Sequence, residues 1–356
     1  MLHDDFLDLL KEYRDLVWPS IEKEINLMVE YDDFCRPQKQ YRYLIDFQRE
    51  LMSVYPKRKG KYFRPSMVIL TGEAMGVSRE LLINTAAAQQ ISEEWILIHD
   101  DVEDDSLVRR GEATLHRQYS KELAINAGDG LHVLMWTILQ KNRQILGEEK
   151  TFAVMEEFSK LLNRTVLGQS IEIKWAQENK RDLNDEDILL ILESKTGYYT
   201  VAGPMREGAI IAGATREQLE KIYKFGKLAG YCFQIKDDLL DLTSDFCGQK
   251  KQCGNDIYEG KRTIMLAHLM RTISENDRKK LDDIMNKNRQ EKSEGEVSWV
   301  IAKMKECGSL DYANKIMESF AAEAKIYFRN ELGFLTKKPA RDYLEYLPDF
   351  LTKRDH

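Results

Sequence analysis

The chain has 356 residues, 43% hydrophobic and 32% charged, with 53 basic against 60 acidic side chains and a net charge of −7. That balance disfavours a nucleic-acid surface, while the apolar content can fill a sizeable core sheathed by charged helix faces. Cys35, Cys232, Cys247, Cys253 and Cys307 are odd in number and form no C-x-x-C pair, which points to reduced thiols rather than a disulfide framework or zinc site.

The first ten residues carry three aspartates and no basic leader, and no apolar run reaches the roughly eighteen residues a membrane span needs. A cytoplasmic protein without an integral membrane segment is expected. Residues 2–17 place Leu2, Phe6, Leu9, Leu10, Tyr13, Leu16 and Val17 at helical spacing, and Pro19 should end that helix. Residues 20–30 and 40–54 continue as amphipathic helices. Residues 55–65 read as a turn holding Lys57, Arg58, Lys59, Lys61 and Arg64, which is either solvated surface or an anion site.

Residues 66–75 and 79–98 are apolar-rich helices. The second runs into Asp100, Asp101, Glu103, Asp104 and Asp105, five acids within six residues. If the helix continues, Asp100 and Asp104 are i,i+4 neighbours whose repulsion costs roughly 0.2–0.5 kcal/mol per pair, more without water. The bland reading is a solvated acidic loop. The sharper one is a site for a hard cation, Mg²⁺ before Ca²⁺. Residues 116–119 and 123–146 are helical, with Gly128 and Gly130 permitting close packing. Helices at 150–175 and 185–193 precede Lys195-Thr196, and Gly203-Pro204 should kink a helix.

Residues 221–245 repeat the acidic signal inside an otherwise apolar helix, as Asp237, Asp238 and Asp241 after Phe233-Gln234. Solvated surface is a weaker explanation there. A basic loop with Lys251, Lys261 and Arg262 follows. Residues 264–335 are helical with breaks near Gly295 and Gly308, and 340–353 is a last amphipathic helix. Strand signals are almost absent and no linker stands out, so a single all-α domain over 1–356 is expected. Two D-D-x-x-D motifs, each trailed by cations (Arg109, Arg110; Lys251, Lys261), suit Mg²⁺ shared between carboxylates and a diphosphate.

In these motifs the sequence resembles the trans-isoprenyl diphosphate synthases. The markers are Gly60-Lys61-x-x-Arg64-Pro65, Asp100-Asp101-x-x-Asp104 with Arg109-Arg110-Gly111, Lys195-Thr196, Phe233-Gln234 before Asp237-Asp238-x-x-Asp241, and Gly254-x-Asp256 with Lys261. The resemblance implies an isoprenoid synthase fold, a helical bundle around a deep central cavity, usually homodimeric. It implies up to three Mg²⁺, with Asp100, Asp104 and Asp237 as direct ligands and Asp101, Asp238 and Asp241 in support. Arg109, Lys195 and Lys261 would hold an allylic diphosphate, with Thr196 and Lys251 nearby. Lys61, Arg64 and Arg110 would hold isopentenyl diphosphate, with Phe233 and Gln234 near the reacting carbons.

Two features depart from the family or tune it. Glu93 stands where the family commonly carries His or Gln, so it is expected to orient a cation such as Lys61 or Arg64 rather than touch a diphosphate. Trp95 and Ile96 precede the first motif by five and four residues, with Ile91 and Ser92 a turn earlier. At about 1.5 Å per residue Trp95 lies roughly 7–8 Å below Asp100, where it either floors the prenyl tail or is ordinary core. A floor favours a C20 product, geranylgeranyl diphosphate; farnesyl and C25 geranylfarnesyl products are the alternatives. Intact aspartate motifs disfavour a terpene cyclase or head-to-head synthase. A non-catalytic partner subunit is the reading from another class.

Overall fold

The computed structural model describes residues 2–28, 38–243 and 253–354. Contacts divide the chain into two compact units. One comprises Met1–Phe158, Pro204–Thr215 and Leu335–Tyr343; the other comprises Ser159–Gly203, Arg216–Phe334 and Leu344–His356.

In the first unit, α1 (Leu2–Met28) contains Pro19 rather than ending before it. Phe6, Leu10, Tyr13, Val17, Ile21 and Ile25 are all buried. Packing along that continuous face outweighs the hydrogen bond a proline removes. α2 (Arg42–Lys57) likewise carries Pro56 in its last turn, so the expected basic turn is helical as far as Lys57. α3 (Phe63–Ala74) starts after Tyr62, which is left-handed at φ 57°. α4 (Ile83–Glu103) runs on through Asp100 and Asp101, and Asp104 is its C-cap.

Two short antiparallel strands follow, β1 (Val108–Arg109) and β2 (Glu112–Ala113), pairing Arg109 with Glu112. Next come α5 (Leu115–Gln118), α6 (Lys121–Gln140), α7 (Arg143–Leu146) and α8 (Glu148–Gln177), the last belonging to this unit up to Phe158. α4 packs most extensively on α6. Gly128 permits that approach, because a Cβ there would collide with the His99 ring.

In the second unit, α9 (Asp185–Ile191) starts at a capping box between Asn184 and Asp187. The segment Leu192–Ala202 is π-helical and gives way at Gly203 to α10 (Gly203–Ile211), which from Pro204 onward belongs to the first unit. The expected kink at Gly203-Pro204 is thus a change of helix type. α11 (Arg216–Thr243) packs on the π-helical segment, and an added Cβ on Gly230 would come within 2.5 Å of Gly197 Cα.

The chain continues as α12 (Asn255–Glu259), α13 (Ile264–Thr272), α14 (Glu275–Met285), α15 (Glu294–Glu306), α16 (Ser309–Glu331) and α17 (Ala340–Lys353). The break expected at Gly295 falls just before it, at a Ser293–Glu296 capping box, while Gly308 is a left-handed helix start at φ 71°. Among the described residues no helix is long and apolar enough to cross a membrane.

Candidate active site

Helical spacing gives the end of α4 two faces. Glu93, Ile96, Leu97, Asp100 and Asp104 share a half-exposed face, whereas Ile91, Glu94, Trp95, Ile98 and Asp101 are buried. Asp100 and Asp104 are therefore presented together, while Asp101 is only 1% exposed. Arg109 donates to the Asp101 carboxylate through Nε at 3.0 and 3.1 Å and through Nη2 at 2.5 Å. Arg109 Nη2 also reaches Asp100 Oδ2 at 3.5 Å. Burial alone would lower the Arg109 pKa; the Asp101 carboxylate more than offsets it and holds the guanidinium charged.

Arg110 and Gly111 are the central residues of the β1–β2 turn, at φ 52° and 83°. A two-residue hairpin of this hand needs both left-handed, and an arginine there is strained. The turn sends adjacent arginines to different carboxylates. Arg110 Nη1 donates to Glu94 Oε2 at 2.9 Å and Oε1 at 3.1 Å, and Nη2 lies 3.6 Å from Glu93. Glu93 is also 3.2 Å from Arg64 Nη1, so the cation pairing expected of it is present. Glu94 is completely buried and accepts the Gln90 amide at 2.7 Å. Burial raises its pKa, with Arg110 opposing. Gly60 leaves room for Arg110, since a Cβ there would be 2.7 Å from Nη2. Lys61 is exposed on the same turn.

Trp95 packs against α6, its ring 4.7 Å from His132 and edge-on to His99 at 5.6 Å. His132 in turn accepts the Trp136 indole N–H at 3.1 Å. Ile96 lies on the Asp100 face. Ile91 and Ser92 are buried a turn earlier, with Ser92 Oγ donating to the Gln89 carbonyl at 2.7 Å.

In the second unit, Lys195 and Thr196 ride on the π-helical segment, a geometry that recurs at functional sites. Gly168 lets α8 approach it closely, as a Cβ would be 2.7 Å from the Lys195 nitrogen, and the Lys195 ammonium pairs with Glu172. Glu193 anchors the segment to Lys227 at 2.8 Å, Tyr231 at 3.3 Å and Tyr223.

On α11, Gln234 donates its amide to Asp238 Oδ1 at 2.7 Å. Asp238 is 5% exposed, and burial pushes its pKa up to about 7 against the pull of Gln234. Asp237 is open on one side and lies 3.3 Å from Arg354, which also donates to the Phe233 carbonyl at 2.8 Å and covers its ring. Asp241 accepts the backbone N–H groups of Asn255 at 3.2 Å and Asp256 at 3.0 Å. It thereby fixes the turn leading to Lys261.

Lys261 lies 2.6 Å from Glu259 and 3.4 Å from Asp256. Its own turn rests on two buried cations. Lys292 donates to the Tyr258 carbonyl at 2.8 Å, while Arg262 donates to the Lys180 carbonyl at 3.0 Å, Asn179 Oδ1 at 2.7 Å and the Gly260 carbonyl. Lys251 lies outside the described residues.

The acidic donors are carboxylate oxygens, the kind Mg²⁺ takes. Among the described residues, no three acidic, His or Cys side chains converge to hold an ion by themselves. Sequence reading missed Glu94, Tyr55, His132 and Arg354. Only Glu94 left a signal, as a second acid beside Glu93 in an apolar helix.

The sequence model of the polyprenyl synthetase family matches residues 46–304. A short chain isoprenyl diphosphate synthase of Methanothermobacter thermautotrophicus is 30% identical over 83% of this chain and 87% of its own length. A geranylfarnesyl diphosphate synthase of Natronomonas pharaonis is 26% identical over 98% of this chain and 97% of its own. Among solved structures, geranylgeranyl pyrophosphate synthetase from Pyrococcus horikoshii matches with a TM-score of 0.80 and 28% identity, covering 98% of this chain and 99% of that one. With both aspartate motifs and their cations present on an all-α isoprenoid synthase fold, the chain belongs to the polyprenyl synthetase family and is an isoprenyl diphosphate synthase, a trans-prenyltransferase.

Proposed function

We propose that the enzyme condenses isopentenyl diphosphate with an allylic diphosphate (dimethylallyl, geranyl or farnesyl) to give geranylgeranyl diphosphate, releasing diphosphate. The observation that carries this reading is the β1–β2 hairpin. Its two adjacent arginines belong to different carboxylate systems, Arg109 to the first aspartate motif and Arg110 to Glu93, Glu94 and Arg64. Such a division suits two diphosphates, each gripped by its own guanidinium.

In the first unit, Arg109 takes the allylic diphosphate, while Lys61, Arg64 and Arg110 take that of isopentenyl diphosphate. In the second, Lys195, Lys261 and Lys251 serve the allylic diphosphate, with Thr196, Phe233 and Gln234 bordering the substrates. Asp100, Asp104 and Asp237 are the candidate magnesium ligands, supported by Asp101, Asp238 and Asp241. Bound there, Mg²⁺ supplies Lewis-acid stabilisation of the departing diphosphate. Arg109, Lys195 and Lys261 add fixed positive charge where negative charge grows, which favours ionisation of the allylic C–O bond. The isopentenyl double bond attacks that carbon, and the intermediate then loses a proton to the released diphosphate.

Trp95, with Ile96 and the preceding Ile91 and Ser92, forms the proposed limit on tail length. Its contact with His132 supports a rigid floor. The exposed Ile125, Val133 and Phe152 support a homodimer, and thiols at Cys232, Cys253 and Cys307 suit a cytoplasmic setting.

The deciding experiment incubates the protein with Mg²⁺, isopentenyl diphosphate and primers from C5 to C15, reading products by mass. A C20 product is expected, and failure to elongate any primer would leave the non-catalytic partner-subunit reading in its place. Trp95→Ala should shift products beyond C20; an unchanged distribution would return Trp95 to ordinary core.

A further inference from the structure

Both hairpin arginines converge on a residue outside every motif. Tyr55, in the last turns of α2, donates its hydroxyl to Asp101 Oδ2 at 2.6 Å, while its main-chain carbonyl accepts Arg110 Nη1 at 3.1 Å. The same hydroxyl accepts the Leu115 N–H at 3.3 Å, tying α4 to the start of α5. The side chain is fully buried.

Arg58 completes the grip from the turn that follows α2. Its guanidinium lies 4.8 Å from the Tyr55 ring centroid and 3.3 Å from Glu112, and it donates to the Arg109 and Ala113 carbonyls at 3.1 and 2.8 Å. Both hairpin strands are therefore held by Arg58, while Tyr55 holds the Arg110 side chain directly and that of Arg109 through Asp101.

We infer that Tyr55 is the positioning residue that sets the two substrate arginines relative to each other. Its hydroxyl fixes Asp101 and, through it, Arg109. Its carbonyl, with Glu94, fixes Arg110. The two routes leave from different atoms of one residue, so one can be cut without the other. The inference rests on the two-diphosphate reading of the hairpin.

Tyr55→Phe removes the hydroxyl and keeps the carbonyl and the ring under Arg58. It should lower kcat/KM for the allylic diphosphate about tenfold, the usual scale for one hydrogen bond to a charged group, and change KM for isopentenyl diphosphate less than about twofold. Glu94→Gln should do the reverse, raising KM for isopentenyl diphosphate about tenfold with little effect on the allylic substrate. A structural role alone would move both substrates together. Steady-state kinetics in each substrate, with melting temperatures alongside, read the difference.

If the wild type elongates and Tyr55→Phe shifts both substrates equally, or neither, the inference fails while the two-diphosphate reading stands. A wild type that elongates no primer removes that reading, and the inference with it. Should Tyr55→Phe prove insoluble, Glu94→Gln carries the test alone: KM for isopentenyl diphosphate should rise about tenfold with the allylic constants unmoved, and equal movement of both, or of neither, would overturn the inference.

Discussion

Two pairs of cations, one half-buried beside the first aspartate motif and one buried in the chain after the second, are held in opposite ways. Near the first motif, Arg109 and Arg110 sit on carboxylates, Asp101 and Glu94, and both guanidinium pKa values are raised despite burial. Beyond the second, Arg262 and Lys292 hold backbone carbonyls. Burial lowers Arg262 to about 10 and Lys292 to about 8, with neighbouring cations adding to the effect. A carboxylate locks a charge in place, whereas a carbonyl locks only a shape. The first arrangement suits the proposed diphosphate grip, which needs arginines that stay charged. The second suits a bracket whose task is to hold the turn presenting Lys261.

The largest test of that contrast is a pair of substitutions. Asp101→Asn strips Arg109 of its carboxylate in a buried site and should cost about 3–5 kcal/mol in urea denaturation. Asn179→Ala takes one neutral acceptor from Arg262, leaves its two carbonyls in place, and should cost only about 1–2 kcal/mol. Equal losses would break the comparison.

A smaller test uses pH. Lys292 is lowered from 10.5 to about 8 on folding, so between those values the unfolded chain binds more protons than the native one. Stability contributed by this residue should therefore rise with pH across that window, on the order of 1 kcal/mol after solvent screening. Denaturation midpoints for Lys292→Met should lack this slope, and a wild type no steeper than the variant would refute the shift. Smallest is Glu93→Gln, which keeps an acceptor beside Arg64 but loses charge. It should change KM for isopentenyl diphosphate a few-fold without altering stability by more than about 0.5 kcal/mol. An unmoved KM and turnover would deny Glu93 any orienting role.

Most helices and all the acidic motifs were legible, because each rests on local periodicity and residue type. The breaks were less so. Pro19 and Pro56 signal helix ends to a local rule, yet the buried face of α1 and the last turn of α2 carry straight through them. The π-helical stretch could not be read from periodicity, since its apolar residues Leu192, Tyr198, Tyr199, Val201 and Ala202 form no α-helical stripe. At the site, the cation partner expected for Glu93 was readable once the resemblance put a diphosphate near it, because a carboxylate there needs a cation. The turning of Asp101 toward Arg109 was not, because it depends on a left-handed Arg110 that folds the chain back on α4. Tyr55 and Arg354 were invisible for the same reason, their partners lying 46 and 117 residues away in sequence.

The π-helical segment Leu192–Ala202 has a consequence for how this chain tolerates change in length. Its i→i+5 ladder holds more residues per turn than an α-helix. Removing one residue would let the segment relax toward an ordinary helix, so the wide turn is lost while the flanking helices keep nearly their original phase. Lys195 would then lose its alignment with Glu172, or Gly197 its seat against Gly230. Here the count of residues matters more than their identity, so the segment should accept many substitutions and no deletions.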